Sequence, residues 1–351
     1  MTEKLKNRLE KVPAEIISAL AKIDELKGRW ITGAELSPQV LGRLKRSVLI
    51  TSTGASTRIE GAKLSDEDVE KLINGLNIQK FADRDKQEVQ GYYELLENIF
   101  NAWKTLKFNE NSIKHFHKEL LKYSEKDQGH LGNYKFGENK VVAYDAEGRE
   151  IGVIFNPTAP HLVPKEMSEL VEATKAFLEG KRYHPLLVIA NFVVEFLKIH
   201  PFQDGNGRIS RVLTNLLMLK SGYLYMPYVS HEKYIEDNKS AYYLALRNSQ
   251  KTFGKKDENI VPWFEFFFSM LLKQAEAAID LMSNENIEKL LSEQQLSVWR
   301  FVENLEVFST GDVVAGTDIP RPTIKQALEV LLRLKRIERI GQGRGARYKV
   351  V

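Results

Sequence analysis

Apolar residues recur every three or four positions along most of this 351-residue chain, the spacing that lines them up on one side of an α-helix. The pattern predicts helices over 13–26, 38–59, 66–76, 85–106 and 111–123, then over 164–180, 184–199, 207–221, 231–250 and 261–282. Ser65, ahead of Asp66, Glu67 and Asp68, reads as an N-cap with a negative first turn. Between 132 and 160 the period shortens. Two β-rich runs, 140–144 and 152–155, flank the turn sequence Asp145-Ala146-Glu147-Gly148 and predict one hairpin. A hairpin of that size is not stable alone in water, so it is expected to lie on the helical body with one edge open.

The last segment follows another pattern: a helix over 285–306, a short one over 309–315, a turn and cap at Pro320-Arg321-Pro322-Thr323, and an amphipathic helix over 324–334. Strands over 336–340 and 346–350 then surround the glycine-rich stretch from Gly341 to Gly345. Helix, turn, helix and a glycine-tipped wing predict a winged helix-turn-helix. The expected fold is mainly α, with a β-hairpin and a C-terminal winged helix-turn-helix domain. The expected division is an N-terminal helical region over 1–110, a core over 111–283 and the winged domain over 284–351.

Composition narrows the function classes. With 43% hydrophobic and 28% charged residues the chain is ordinary globular material, which excludes wholesale disorder. Fifty-one Lys and Arg against 47 Asp and Glu leave +4, too little for a chain-wide field that would attract nucleic acid. Any such attraction is local. From Pro320 onward the basic residues Arg321, Lys325, Arg333, Lys335, Arg336, Arg339, Arg344, Arg347 and Lys349 face only Glu329 and Glu338. The absence of cysteine removes disulfides, thiolate zinc sites, iron–sulfur clusters and cysteine nucleophiles together, and is compatible with a reducing compartment. Met1 to Lys11 lacks the apolar core of a signal peptide. The stretch 261–272 is too short for a membrane span and carries Glu265, while 185–199 is interrupted by Asn191, Glu195 and Lys198. A cytoplasmic protein with no membrane partner is therefore expected.

The chemistry concentrates in one run, His200-Pro201-Phe202-Gln203-Asp204-Gly205-Asn206-Gly207-Arg208-Ile209-Ser210-Arg211, between two apolar helices. Singly, these residues have ordinary explanations, such as a histidine at a helix end or a glycine-rich turn. Together they supply a base, a carboxylate, an anion cradle at a helix start and two guanidinium groups. A neutral His200 can take a proton from an attacking hydroxyl. Asp204 offers a hard oxygen suited to a magnesium ion shared with phosphate. Gly205 and Gly207 let backbone N–H groups close round phosphate oxygens at the positive end of the next helix. Arg208 and Arg211, three apart, share a helical face where planar forks can grip a polyphosphate.

The run resembles the signature of Fic-domain proteins, His-Pro-Phe-x-Asp/Glu-Gly-Asn-Gly/Lys-Arg-x-x-Arg, and matches every fixed position. The resemblance extends upstream through Glu195 to Ile199 and downstream through Val212 to Gly222, with one departure at Val193, where many members carry histidine. It implies a Fic-like helical bundle binding ATP, and transfer of AMP to a Ser, Thr or Tyr hydroxyl of a protein. By resemblance His200 is the general base and Asp204 the Mg2+ ligand. Gly205, Asn206 and Gly207 form the anion hole, while Arg208 and Arg211 contact the β- and γ-phosphates. Gly207, where phosphorylating relatives carry lysine, favours nucleotidyl transfer. Tyr243 and Gln250 match adenine-contacting positions, although Tyr242, Tyr243 and Leu246 equally suit core packing. The 132–155 hairpin resembles the family's flap, which pairs with an extended segment of the target protein.

Ser56-Thr57-Arg58-Ile59-Glu60-Gly61 is similar to the family's inhibitory pattern, Ser/Thr-x-x-x-Glu-Gly/Asn. Four apart on a helix, Ser56 and Glu60 face one way, so the carboxylate can pair with Arg211 while the hydroxyl braces the loop. The resemblance leaves open whether Glu60 only restrains the enzyme or also supports AMP removal. A homodimer and DNA contact through 320–351 are further partners it leaves open. Two other functions compete: a DNA-binding regulator using the loop as a nucleotide sensor, and a relative moving another phosphate-containing group.

Overall fold

A computed structural model of the chain describes residues 1–33, 38–75, 83–139, 141–144, 150–155, 157–334, 336–340 and 347–350. They are mainly helical and fall into two compact units, Met1–Ile279 and Asp280–Val351. The predicted hairpin turn at 145–148 and the glycines from 341 to 345 lie outside the described residues.

At the centre of the first unit are α8 (Pro185–Ile199) and α9 (Asn206–Lys220). Every residue of α8 from Leu186 to Leu197 is buried, and so is every residue of α9 from Arg208 to Leu219. α8, apolar on nearly all sides, belongs inside a core; α9 brings Arg208, Arg211 and Asn215 into it as well, and other helices pack on this pair. α1 (Thr2–Glu10), α2 (Ala14–Gly33), α3 (Pro38–Ile59) and α4 (Asp66–Ile73) come first, then α5 (Asp83–Ala102), α6 (Glu110–Leu121) and α7 (Val163–Gly180). α10 (His231–Asp237), α11 (Lys239–Gln250) and α12 (Val261–Leu290) follow α9. α3, α5 and α6 all touch α9, while α1, α7 and α11 touch α8.

Two close approaches set this packing. A Cβ at Gly91 of α5 would meet the Leu120 carbonyl of α6 at 2.1 Å, so a bare backbone is needed there. On the far side, fully buried Glu195 of α8 holds α1: Arg8 Nη1 lies 2.7 Å and Lys4 Nζ 3.1 Å from its oxygens. Burial raises the Glu195 carboxyl's pKa, but the two cations pull it below its ordinary value.

β1 (Val141–Tyr144) and β2 (Glu150–Phe155) pair antiparallel, Val142 opposite Val153, as a two-stranded sheet. The second unit contains α13 (Glu293–Val302), β3 (Val307–Ser309), α14 (Thr310–Gly316), α15 (Arg321–Arg333), β4 (Ile337–Ile340) and β5 (Arg347–Val350). Its sheet order is β3-β5-β4, and Val298, Phe308, Val313, Ile324, Leu328, Leu331 and Ile337 are buried in one cluster.

Several boundaries differ from the sequence expectation. The helix expected over 231–250 is two, broken at Asn238, whose side chain donates to the Tyr234 carbonyl and competes with the helical ladder. The helix expected over 285–306 is interrupted at Ser292, which forms a capping box with Gln295 and starts α13 afresh. α15 begins at Arg321 rather than at 324, because Pro322 is tolerated in a first turn and that turn is exposed, with no apolar period to mark it. β3, three residues long, is too short to carry a readable alternation. α1 has too few apolar positions to stand out, yet it buries Leu5 and Leu9.

Candidate active site

The loop between α8 and α9 is held in an uncommon backbone path. His200 caps α8 with φ 52°, a left-handed conformation rare without glycine, and its N–H donates to the Phe196 carbonyl at 2.9 Å. Gly205 caps α9 with φ 77°. Between them the loop is tied across itself: the Phe202 N–H donates to Asn206 Oδ1 at 2.9 Å, and Asn206 Nδ2 donates to the Phe202 carbonyl at 2.8 Å. The Asn206 side chain is thus committed to the loop, and its backbone N–H is what it can offer an anion. The first N–H groups of α9 have no intrahelical acceptor and carry the positive end of the helix.

His200 Nδ1 lies 3.3 Å from the Leu197 carbonyl. A carbonyl only accepts, so Nδ1 carries the proton and Nε2 keeps its lone pair. Burial, then the nearby Lys135 ammonium, push the imidazole down to about 4, leaving it neutral at neutral pH.

Asp204 belongs to a closed ring of alternating charge. Its Oδ2 lies 3.1 Å from Arg84 Nη2 and 3.1 Å from Arg208 Nη2. Arg208 Nη1 lies 2.8 Å from Glu88 Oε2, and Arg84 Nε donates to Glu88 Oε1 at 2.8 Å. Burial raises the Asp204 carboxyl, but Arg208, the Gly205 N–H and Arg84 outweigh it and hold it below its ordinary value. Beneath this ring lies His117 of α6, fully buried and stacked on Phe202 with centroids 3.9 Å apart. The Gly132 N–H donates to its Nδ1 at 3.0 Å, so Nε2 carries the proton and donates to the Asp204 carbonyl at 3.1 Å.

The second arginine meets a different carboxylate. Arg211 Nε donates to Ser56 Oγ at 2.8 Å, and its Nη2 donates to the Ser56 carbonyl at 3.0 Å and to Glu60 Oε1 at 2.7 Å. Ser56 therefore braces the arginine itself, not the loop. Glu60 follows the last residue of α3, ahead of Gly61 at φ 106°. A Cβ at Gly207 would stand 2.2 Å from Glu60 Oε1, so the carboxylate rests against the bare start of α9. The cradle thus already seats one anion, and buried donors are to spare: among the described residues Arg211 Nη1 and Arg208 Nε have no hydrogen-bond partner.

Tyr243 and Gln250 lie on α11, Tyr243 beside the end of α3 and Gln250 against α8. The Tyr243 hydroxyl donates to the Ile59 carbonyl at 3.5 Å, and Gln250 Nε2 donates to the Val194 carbonyl at 3.2 Å, its Oε1 having no partner among the described residues. Among the described residues no group of three or more His, Cys, Asp or Glu side chains could hold a metal by itself. Sequence reading missed Arg84, Glu88, His117 and Lys135. Only the Arg84/Glu88 spacing of four is locally visible, and nothing in it points to a loop more than a hundred residues away.

Residues 107–218 match the Fic/DOC family. A probable protein adenylyltransferase of Aquifex aeolicus (strain VF5) is 27% identical over 191 residues, covering 52% of each chain. The protein adenylyltransferase Fic of Aedes aegypti is 38% identical over 63 residues, which are 17% of this chain and 13% of that one. The chain thus spans about half the length of the first relative and less of the second. A solved Fic family protein from Desulfovibrio desulfuricans G20 superposes with TM-score 0.63 at 24% identity, covering 97% of both chains, which establishes likeness of fold. Among the described residues no helix is long and apolar enough to cross a membrane.

Proposed function

We propose that this Fic-domain protein is a protein adenylyltransferase, moving AMP from ATP to a Ser, Thr or Tyr hydroxyl of a partner protein, and that Glu60 holds it in a slow state. One observation carries the reading: a carboxylate sits on the bare start of α9, paired with Arg211, where a phosphate oxygen would be gripped. The same donors are suited to either anion.

With ATP bound, His200 Nε2 takes the proton of the partner's hydroxyl as that oxygen forms its bond to the α-phosphorus. The bond from the α-phosphorus to the bridging oxygen breaks, and pyrophosphate leaves with the electron pair. A polyanion beside the imidazole raises its pKa from about 4 towards neutrality, making it a better base in the complex than in the free protein. The backbone N–H groups of Gly205, Asn206 and Gly207 hold phosphate oxygens, and Arg208 and Arg211 turn to the β- and γ-phosphates. Tyr243 and Gln250 flank the adenine.

Asp204 is the residue to hold Mg2+. A lone carboxylate suits an ion that arrives on the triphosphate and keeps its waters, and Asp204 Oδ2 already holds cationic groups. The ion would neutralise charge building on the departing pyrophosphate. Glu60 competes with this arrangement: while it occupies Arg211 the triphosphate has one guanidinium fewer and sits poorly for in-line attack. The two-stranded sheet β1-β2 keeps outer edges on which an extended target segment can pair. ATP labelled at the α-phosphate tests the reaction against ATP labelled at the γ-phosphate. Protein-bound α-label with release of pyrophosphate supports adenylyl transfer, and protein-bound γ-label would replace it with phosphorylation.

For the second unit we infer a winged helix-turn-helix. The order α13-β3-α14-α15-β4-β5 with sheet order β3-β5-β4 supports it. The exposed Arg321, Lys325 and Arg333 of α15, with Arg339, Arg347 and Lys349, support contact with a DNA backbone. Duplex binding that weakens steeply with salt is the expected outcome, and retention that ignores salt would exclude it.

A further inference from the structure

Lys135 is a cation with almost no water. It is 3% exposed, and among the described residues no carboxylate lies within ion-pair distance of it. Its Nζ donates instead to two neutral oxygens, Asn139 Oδ1 at 2.8 Å and the Ile199 carbonyl at 3.4 Å. Burying an ammonium on neutral acceptors is costly, and such a group is retained where its position serves something else. That something is next to it in the chain path. The Lys135 N–H donates to the Pro201 carbonyl at 2.9 Å, and Asn139 Nδ2 donates to the Phe202 carbonyl at 3.2 Å. The carbonyls before and after His200 are thus both held by Lys135, and the next one by Asn139. They hold the loop around a non-glycine residue at φ 52°, a conformation that persists only when its surroundings enforce it.

We propose that Lys135 is a positioning residue for His200, pinning the peptide groups on either side of it and setting a positive charge beside the imidazole. This rests on His200 being the base of the proposed reaction. The two roles need one side chain because the ammonium reaches the Ile199 carbonyl only by lying against the loop that carries the base. Charged groups facing His200 among the described residues include Lys135 from the stem before β1, Glu60 from the end of α3 and Asp204 from the loop. Lys135 disfavours the imidazolium, and the two carboxylates favour it. Lys135 is itself faced by Glu166 of α7 and Lys198 of α8, and burial draws it down to about 8, so it remains mostly charged at neutral pH. Because Lys135 lies on the chain leading into the hairpin, the base and the proposed target-docking strands share one anchor.

The test compares the full chain with Lys135→Gln, which keeps an N–H donor without charge, and Lys135→Arg, which keeps both. NMR titration of 13C-labelled histidines, with His200→Ala to assign the resonance, reads the imidazole midpoint directly. In the parent His200 stays neutral down to about pH 5; in Lys135→Gln its midpoint rises by about one unit, a tenfold change in protonation, and Lys135→Arg returns it to the parent value. On a Glu60→Gly background, the acid limb of AMP transfer moves up in the same order. A Lys135→Gln midpoint identical to the parent's overturns the assignment. A midpoint that moves while no variant transfers AMP leaves Lys135 beside His200 and removes the adenylyl-transfer reading instead.

Discussion

Arg208 and Arg211 leave α9 three residues apart, both nearly fully buried, and meet carboxylates of different kinds. Arg208 faces Glu88, inside α5 with its side chain 8% exposed, in a ring closed by Arg84 and Asp204. Arg211 faces Glu60, just past the end of α3 and 32% exposed, whose oxygen rests on the bare backbone of Gly207. Glu88 is part of the wall that shapes the pocket. Glu60 rests against the start of α9, one residue past the end of α3 and beside a glycine. On the proposed function, these two ion pairs on one helix face divide into a support and a restraint, and what differs between them is the burial of the carboxylate and its place inside or just past a helix.

Replacing the two carboxylates should have opposite consequences. Glu88→Ala leaves the buried Arg208 with Asp204 as its one carboxylate and is expected to cost about 1.5–3 kcal/mol of stability, seen as a lower midpoint in thermal or urea unfolding, with AMP transfer reduced. An unchanged midpoint with transfer increased would make Glu88 a second restraint instead.

Acid sharpens the same contrast through His231 of α10, buried near Arg211 with its pKa lowered to about 4, first by desolvation and then by that arginine. A histidine that ionises less readily folded than unfolded contributes stability above its unfolded pKa of about 6.5. That stability is lost as pH falls from there towards 4, reaching about 3 kcal/mol at the bottom of the window. Unfolding midpoints measured across pH 4–7 should fall less steeply in His231→Gln, with His117 and His200, also drawn down to about 4, keeping their share of the acid loss; an equally steep loss in that variant would assign the effect to those two alone.

Glu60→Gly frees Arg211 and removes a competitor from the cradle. Charge-assisted bonds of this kind are worth about 1.5–3 kcal/mol, so transfer should rise about ten- to a hundredfold, with a stability loss of the same order because buried Arg211 gives up its carboxylate and keeps the neutral Ser56 oxygens. The smallest effect belongs to Arg84→Ala, which opens one exposed corner of the ring. A half-exposed pair contributes about 0.2–1 kcal/mol, so the melting midpoint should barely move. Divalent-cation affinity at Asp204, read by Mn2+ titration without nucleotide, should rise a few-fold; a fall would mean that Arg84 helps to hold the ion.

The sequence reveals what is contiguous. His200 to Arg211 is twelve consecutive positions, and the structure brings its histidine, carboxylate and arginines to one loop and one helix start. The helices are legible because apolar spacing of three and four survives in any context. Breaks at Asn238 and Ser292 are not, since there a side chain competes locally with a helix that the apolar spacing would continue. Glu88, Arg84, His117 and Lys135 escape for another reason. Each reaches the loop from at least 64 positions away, and ordinary charged or aromatic residues carry no mark of such a contact until the chain folds.

Intact-mass spectrometry after incubation with ATP and magnesium tests the central claim, that Glu60 blocks an adenylyl-transfer site built around His200. The Glu60→Gly protein should gain mass in steps of one AMP, the parent far less, and Glu60→Gly with His200→Ala none. No gain by Glu60→Gly, or an equal gain once His200 is removed, would contradict it.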